Sequence, residues 1–261
     1  MTLKKTKKEI ELLREGGKRH FEVMSRLKDS IKAGVSTQEI DILAEKLIRK
    51  EGDEPSILNY QPFGATYPFP ASVCISINEE IVHGIPGEKI IKDGDIVGLD
   101  FCLTHKGLVV DGAITVAVGR IDSKVKKLIE ITQEALYAGI RVARAGNKLG
   151  DIGHAIELCA RPYKYGVVCE LGGHGVGHAV HEMPYVQNFG HPHTGTLLLQ
   201  GMVLALEPMF TLGSPKIKIK KNGYTFVSCD NSLSAHFEHT IVITNNEPLV
   251  LTAKSGNCSR N

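Results

Sequence analysis

Four acidic residues lie inside runs of apolar residues, where an unpaired charge is costly. Two of them, Asp100 and Asp111, flank a segment typical of a β-hairpin, and a turn centred on His105 and Lys106 would place them directly opposite each other. Their β-carbons would then be about 4.5–5.5 Å apart, where two bare carboxylates repel each other. We therefore expect a cation between them. The alternative, that one aspartate ends a strand and faces the other side of the sheet, stays open on the hairpin alone.

The other two acidic residues are Glu207 and Glu238, each in an apolar segment that is typical of a strand. Pro208 follows Glu207 and cannot donate a hydrogen bond to a neighbouring strand, so an irregular strand is expected there. Either glutamate alone could lie at the rim of a sheet.

The sequence matches itself in two halves, and the matching segments contain these acidic residues. The pairs are residues 83–86 (HGIP) with 181–184 (HEMP), 94–100 (GDIVGLD) with 201–207 (GMVLALE), and 111–116 (DGAITV) with 238–243 (EHTIVI). Each half therefore carries one histidine and two carboxylates in the same order. A pseudo-twofold axis would bring the four carboxylates together. We predict a single domain over residues 1–261, with halves at about 1–120 and 121–250.

A glycine-rich segment, residues 171–181 (LGGHGVGHAVH), carries His174, His178 and His181. Three histidines so close together, with glycines that leave His174 unshielded, favour metal binding or acid–base chemistry. The spacing is not His-Glu-X-X-His, so a thermolysin-type single zinc site is not indicated. One histidine with four carboxylates instead suits two divalent ions such as Mn, Fe(II) or Co, and zinc less exclusively. Two ions about 3.5–4 Å apart can deprotonate a shared water near neutral pH, so the residues alone predict metal-assisted hydrolysis.

Local patterns predict the elements that would position these residues. Capping boxes at residues 6–9 and 36–39 open two helices, the first to about residue 32 and the second to about Gly52. Apolar spacing predicts a long helix that is ended by Gly146, and another helix to about Arg161. Strand-like segments are residues 72–83 and 95–118, each predicted as a hairpin, and 167–171, 202–210, 224–228 and 236–243.

Composition excludes several classes of protein. The 261 residues are 42% hydrophobic and 23% charged, with a formal net charge of +2, which does not predict binding to nucleic acid. No segment has the ~18 consecutive apolar residues of a membrane helix, and residues 1–10 lack the apolar core of a secretory signal. Six scattered cysteines without a Cys-X-X-Cys pair predict a reduced, cytoplasmic protein.

Together the motifs resemble the type I methionine aminopeptidases, over about residues 6–250. The stretches that carry the resemblance are residues 72–79 (SVCISINE), 83–86 (HGIP), 173–177 (GHGVG), 206–208 (LEP) and 238–242 (EHTIV). The resemblance implies an α+β "pita-bread" fold, a pseudo-twofold duplicated antiparallel sheet with helices packed on its outer face. It also implies a catalytic domain that removes the initiator methionine from nascent proteins.

The resemblance further implies two divalent metal ions per chain, which could be cobalt, manganese, Fe(II) or zinc. Asp111 and Glu238 would bridge both ions. Asp100 would hold one ion, and His174 and Glu207 would hold the other. In this family, a hydroxide that bridges the two ions attacks the scissile bond.

The family also implies roles for the residues around the metals. Glu207 would shuttle the proton of the attacking hydroxide. His181 would polarise the scissile carbonyl and stabilise the oxyanion, and His83 would contact the substrate near the scissile amide. The second ion and Asp100 would bind the free α-amine, which only the N-terminal residue of a polypeptide has.

In this family, the positions of Cys74, Phe69 and Tyr224 line the slot for the methionine side chain. Tyr224 stands where related enzymes often have tryptophan, and Val180 replaces a common phenylalanine. Both changes make the wall of the slot smaller and alter its shape.

Two alternatives stand beside this hypothesis. Aminopeptidase P and prolidase share the ligand set but usually add an N-terminal domain, whereas only about 70 residues precede the first matched strand here. A catalytically silent pita-bread module would be expected to lack ligands, yet all five are present.

The 26 positions from His181 to Glu207 leave no room for the insert of type II enzymes.

The expected partners are nascent chains that begin with methionine followed by a small residue. A solvated helix face is the simpler interpretation of the basic N-terminal segment, and transient docking to the ribosome is the sharper hypothesis. Its basic residues are Lys4, Lys5, Lys7, Lys8, Arg14, Lys18 and Arg19. We expect a monomer that binds neither membrane nor specific nucleic-acid sequences.

Overall fold

The structure is a computed structural model that describes residues 3–254, so the two ends of the predicted domain lie outside the described residues. The helices are α1 (Lys7–Ser30), α2 (Thr37–Lys50), α3 (Ser123–Val142) and α4 (Leu149–Ala160), and a short 3₁₀ turn follows at Arg161–Tyr163. The strands are β1 (Glu54–Pro55), β2 (Cys74–Ile77), β3 (Glu80–Val82), β4 (Ile96–His105), β5 (Leu108–Ala117), β6 (Gly166–Val167), β7 (Gly172–Gly175), β8 (Glu182–Gln187), β9 (Val203–Leu206), β10 (Met209–Thr211), β11 (Ile217–Ile219), β12 (Phe226–Ser228), β13 (Ser234–His236), β14 (Glu238–Val242) and β15 (Leu249–Val250).

The two predicted capping boxes are confirmed. The Thr6 hydroxyl accepts a hydrogen bond from the Glu9 backbone N–H, and the Glu9 carboxylate accepts one from the Thr6 N–H at 2.6 Å. Ser36 and Glu39 form the same reciprocal pair at the start of α2. Each pair satisfies backbone donors that the first helical turn leaves free.

Nine strands form one antiparallel sheet in the order β1-β4-β5-β14-β9-β7-β8, with β2 also on β4 and β15 on β14. The run β2-β4-β5 therefore corresponds to β7-β9-β14. Gly112 follows Asp111, His239 follows Glu238, and Gly112 and His239 pair with each other where β5 meets β14. Equivalent residues thus meet at this point, so the pseudo-twofold axis of the duplicated sheet passes through it.

The large sheet has one face toward the helices and one face toward the candidate ligands. On β5, a Cβ at Gly112 would lie 2.7 Å from the His20 ring of α1. That ring stacks on Phe101 of β4, with ring centroids 4.1 Å apart. Because side chains alternate along a strand, Asp100 and Asp111 lie on the opposite face. In the second half, a separate apolar cluster holds α3 and α4 against β9 and β14.

Residues 72–83 do not form the predicted hairpin. β2 pairs with β4 in the large sheet, whereas β3 pairs with β12 in a three-stranded sheet whose other edge is β11. Between them Asn78 has a φ of 63° and uses its side chain to bind Asp95 and the Ile96 N–H. This turn directs the chain from one sheet into the other.

The second half also differs in detail from the predicted strands. The segment 202–210 is interrupted after β9, as the proline predicts, and resumes as β10. β8 has no signal in the sequence because apolar side chains lie on both of its faces. Met183 and Tyr185 are exposed while Pro184 and Val186 are buried, which hides the alternation.

Candidate metal centre

The hairpin of β4 and β5 holds Asp100 and Asp111 on one face of the sheet. Its turn residues, Lys106 and Gly107, have φ of 47° and 81°, the left-handed geometry of a two-residue hairpin turn. Asp111 therefore pairs with Cys102, and the predicted direct opposition of the two aspartates is wrong. Because the partner shifts by two residues, both aspartates keep the same face and become diagonal neighbours.

Glu207 and Glu238 lie at strand ends beside the pseudo-twofold axis. Glu207 follows β9, and the Asn188 side chain donates a hydrogen bond to its backbone carbonyl at 3.0 Å. Glu238 begins β14, is buried, and has no hydrogen-bond partner for Oε1 among the described residues. A buried carboxylate oxygen without a partner is costly, and a cation would remove that cost.

His174 of β7 presents one ring nitrogen to these carboxylates. Its Nδ1–H donates to the Gly175 carbonyl at 2.9 Å, which leaves Nε2 as a potential ligand atom. Nε2 lies 3.5 Å from Glu207 Oε1 and 3.9 Å from Asp111 Oδ2. Ligand atoms of Asp111, His174 and Glu238 lie within 4.8 Å of one another, and residues 3–254 contain no second group of this kind.

The electrostatics of the cluster fit divalent cations. Burial raises the pKa values of Asp100, Glu207 and Glu238 well above the ordinary carboxyl range, and the neighbouring carboxylates raise them further. Four carboxyl groups this close cannot all be charged unless positive charge lies between them. One imidazole and four carboxyl groups form an oxygen-rich donor set of the kind that divalent metals take.

All five candidate ligands line one open cavity of about 450 Å³. His83 and His181 line it too, and both also line an adjoining pocket of about 70 Å³. The walls of this smaller pocket include Cys74, Phe69, Tyr224 and Val180. The residues implied for metal and for substrate therefore lie around two connected spaces.

The smaller pocket is narrow and largely apolar. Phe69 and Tyr224 meet edge to face, with ring centroids 5.2 Å apart, and the Tyr224 hydroxyl donates to the Tyr67 carbonyl. Burial raises the pKa of the Cys74 thiol well above its ordinary value, so that the thiol is uncharged at neutral pH. An unbranched apolar side chain suits such a pocket.

His83 and His181 are uncharged near neutral pH. Burial lowers the pKa of each to about 4, and the nearby His174 contributes to both shifts. His178 behaves differently, because its Nε2 is 2.6 Å from Glu9 Oε1 and it lines neither space. The expectation of metal binding or acid–base chemistry for the histidine cluster therefore does not extend to His178.

Two further side chains contact the cluster and have no place in the sequence predictions. His236 is buried, with Nε2 3.8 Å from Glu207 Oε2. The Cys102 thiol donates to Asp111 Oδ2 at 2.9 Å. Strand alternation could have indicated both, because each lies two positions from a candidate ligand on the same segment.

Tyr60 is a third such residue, in the irregular segment before β2. Its hydroxyl lies 3.2 Å from His181 Nδ1, and the two rings are in contact with centroids 5.7 Å apart. No periodic pattern in the sequence could have indicated this contact, since the segment forms no regular element.

Comparison with known proteins also indicates a metallopeptidase, in agreement with the geometry of the site. The profile of metallopeptidase family M24 matches residues 11–245. A methionine aminopeptidase of Clostridium perfringens is 42% identical over 252 residues, which cover 97% of this chain and 99% of the relative. Methionine aminopeptidase 1 of Bacillus subtilis is 43% identical over 244 residues, which cover 94% and 96%.

Solved structures show the same similarity. The crystal structure of methionine aminopeptidase from Rickettsia prowazekii superposes with a TM-score of 0.92 at 37% identity, covering 96% of this chain and 99% of that chain. The prolidase of Pyrococcus horikoshii superposes with a TM-score of 0.76 at 24% identity, over 97% of this chain and 64% of that chain, and shares the fold alone. Within residues 3–254, no helix has the length and apolar character needed to span a bilayer.

Proposed function

The chain belongs to metallopeptidase family M24, and we infer that it is a metal-dependent aminopeptidase that removes N-terminal methionine from polypeptides. The observation that carries this conclusion is the convergence of one histidine and four carboxyl groups, drawn from both halves, on one cavity beside a narrow apolar pocket. Such a site can bind the N-terminus of a polypeptide and hydrolyse the peptide bond that follows its first residue.

We propose that two divalent cations bind per chain. Asp111 and Glu238 would bridge them, because these two residues are equivalent and lie next to the pseudo-twofold axis. Asp100 would hold one cation, and His174 and Glu207 the other. Cobalt, manganese, Fe(II) and zinc all suit this donor set. When bound, the cations supply Lewis-acid chemistry, which polarises a carbonyl and lowers the pKa of a coordinated water.

The chain's own residues would move protons and hold the substrate. Glu207, whose carboxyl group lines the cavity beside His174, would accept a proton from the attacking water and pass it to the leaving amine. His181, which is uncharged, would donate an N–H to the carbonyl oxygen and stabilise the oxyanion. His83 would hold the substrate near the scissile amide.

Selection of the first residue would come from two contacts. Asp100, at the side of the cavity that adjoins the smaller pocket, would bind the free α-amine. Cys74, Phe69 and Tyr224 would enclose the methionine side chain. The small Val180 in the same wall predicts a slot that differs in shape from one closed by phenylalanine.

Release of methionine from a Met-Ala-Ser peptide tests this function. We expect release with at least one of Mn, Co, Fe(II) and Zn, and none after chelation. A Val-Ala-Ser peptide is the control for the slot. Protein that is loaded with each metal in turn and releases no methionine would instead be a silent binding module. Elemental analysis of protein purified without added metal gives the number and kind of ions.

A prolidase-like activity is tested with peptides that carry proline in second position. Cleavage of many different residues before proline would indicate an Xaa-Pro hydrolase. The likeness to prolidase concerns the fold, and no contact in the cavity among residues 3–254 favours that reaction.

We further propose a monomeric, single catalytic domain over residues 1–261 that acts in the cytoplasm on nascent chains with a small second residue. Five free cysteines among the described residues suit a reducing compartment. Transient docking to the ribosome would use exposed basic residues. Lys7 and Lys8 are exposed at the start of α1, whereas Lys5 is buried against Glu182. Co-sedimentation with ribosomes that weakens as salt rises would support docking.

A further inference from the structure

The loop between β7 and β8 carries His181 and is closed by the N-terminal segment of the chain. We propose that the buried ion pair of Lys5 and Glu182 is a positioning device for His181, an inference that rests on the proposed role of His181 in the reaction. Glu182 borders the large cavity, but its side chain is only 5% exposed, so we expect the pair to act through the loop.

The Glu182 carboxylate organises this loop from within. Its Oε1 accepts hydrogen bonds from the backbone N–H groups of His178 at 2.5 Å and Ala179 at 3.1 Å. The loop therefore folds back on the residue that directly follows His181. A displacement of this carboxylate would change the loop backbone on both sides of His181.

Lys5 holds the other oxygen of the same carboxylate. Its Nζ lies 2.6 Å from Glu182 Oε2, and the two side chains are only 1% and 5% exposed. The Lys5 backbone is itself fixed, because its N–H donates to the Gly201 carbonyl at 2.8 Å. The ammonium group thus comes from a segment that is remote in sequence and is bound to the residues before β9.

Gly177 gives the lysine room beneath the loop. Its φ is 137°, and a Cβ built there would lie 2.4 Å from Lys5 Cε. Its carbonyl accepts a hydrogen bond from the Val109 N–H at 2.7 Å. The loop is therefore held between Lys5 and β5, and only a residue without a side chain permits this packing.

A second tie from the N-terminal segment to the same loop provides a matched comparison. Glu9 Oε1 lies 2.6 Å from His178 Nε2, but these two side chains are 28% and 34% exposed. Water can replace this contact at little cost. Loss of Lys5 instead leaves the Glu182 charge buried and uncompensated, which forces the loop to rearrange.

Lys5→Met and Glu182→Gln test the positioning role. We expect each to lower kcat for Met-Ala-Ser by about 10- to 100-fold, because a misplacement of about 1 Å can cost on the order of 10²-fold. KM and the bound metal should stay near wild type. The double variant Lys5→Met/Glu182→Gln should recover most of kcat, because no charge is unpaired and the glutamine oxygen still accepts both N–H groups. Glu9→Gln, the control, should change kcat by less than about threefold.

The decisive measurement repeats these changes in a His181→Ala background. If the pair acts through His181, Lys5→Met lowers kcat no further there. Losses that multiply in that background, or a Lys5→Met enzyme with normal kcat, would overturn the inference. If His181→Ala alone leaves kcat unchanged, the proposed role of His181 fails instead. Should Lys5→Met not fold, Glu182→Gln and the neutral double variant carry the same comparison.

Discussion

The two halves of the molecule agree in their carboxylates and differ in how they support their histidines. Asp111 and Glu238 are equivalent by sequence, are 4% and 3% exposed, and lie on the same face beside the axis. His83 is held by the segment that leads into β12, the strand beside β3, because the Thr225 hydroxyl donates to its carbonyl at 3.1 Å. His181 instead depends on the N-terminal segment and on Tyr60.

This difference between the two histidines shows which features of the site the duplicated sheet can provide and which it cannot. Symmetry gives two matched carboxylates to each half and so explains how one site can hold two like cations. A peptide has a direction, however, and its carbonyl and amide need different contacts. With the proposed roles of His83 and His181, their unequal surroundings would break the symmetry at the place where that direction is set.

The largest expected effect tests the symmetric part. Asp111→Asn and Glu238→Gln should each reduce bound metal and lower kcat to below about a tenth of wild type at saturating metal, because each removes a charged ligand. Equal losses of metal in the two variants would support a bridging role for both. His174→Ala and Glu207→Ala, which remove a ligand from one proposed ion, should be equally inactive. A rate above a tenth in any of the four would contradict the ligand assignment.

The next effect tests the asymmetric part. His181→Ala should lower kcat by about 10²–10³-fold, the range for loss of one oxyanion donor, with metal content unchanged. His83→Ala should cost about tenfold, since one hydrogen bond to the substrate is worth up to about 1.4 kcal/mol. Metal analysis and steady-state kinetics of both variants decide the matter. Equal losses would mean that the two histidines are interchangeable, and loss of metal from the His181 variant would give it a different role.

Sequence reasoning succeeded where the signal was local or repeated. The capping boxes at Thr6 and Ser36 fixed two helix starts, and the duplicated motifs gave the two-half architecture. Alternation along a strand gave the shared face of Asp100 and Asp111 even though their direct opposition was wrong. The register failed because Lys106 adopts a left-handed turn conformation that its residue type does not favour.

The features that escaped prediction depend on contacts between distant parts of the chain. Lys5 and Glu182 are 177 positions apart, and nothing near either residue indicates a buried pair. The division of residues 72–83 between two sheets depends on which strands lie beside each edge, and no short pattern encodes that choice. Tyr60 meets His181 only because an irregular segment folds over the smaller pocket.

A smaller effect concerns the stability of metal-free protein against pH. Burial raises the pKa values of Asp100, Glu207 and Glu238, so the folded protein binds their protons more tightly than the unfolded chain does. Their contribution to stability is complete below the ordinary carboxyl pKa and is lost as pH rises through the raised values. His83 and His181, with pKa values lowered to about 4, contribute with the opposite sign between pH 4 and 6.5 and are constant above.

Above pH 6.5 the carboxyl groups therefore decide the trend. We expect the Tm of chelated protein to fall between pH 6.5 and 8, by about 2–4 °C for each kcal/mol lost in a protein of this size. Added Mn should reverse the trend, because cations displace the protons and bind more tightly as pH rises. The Glu238→Gln variant, which lacks one of these groups, is the control and should show a shallower fall. A flat or rising Tm in chelated wild type would show that the raised carboxyl pKa values do not reach this pH range.

The smallest effect separates the ring of His181 from its loop. Tyr60→Phe keeps the ring contact with His181 but removes the hydroxyl 3.2 Å from Nδ1. We expect kcat to fall about fivefold, since one neutral hydrogen bond contributes about 1 kcal/mol, with KM little changed.

Phe226 provides the control, because it contacts His83 as Tyr60 contacts His181 but has no hydroxyl. The rings of Phe226 and His83 meet edge to face, with centroids 5.8 Å apart. Phe226→Leu should therefore leave the response to Tyr60→Phe unchanged, because the ring of Phe226 meets His83, whereas that of Tyr60 meets His181. If Tyr60→Phe lowers kcat as much in His181→Ala as in wild type, the hydroxyl does not act through the His181 imidazole. The two histidines would then be supported more alike than their contacts indicate.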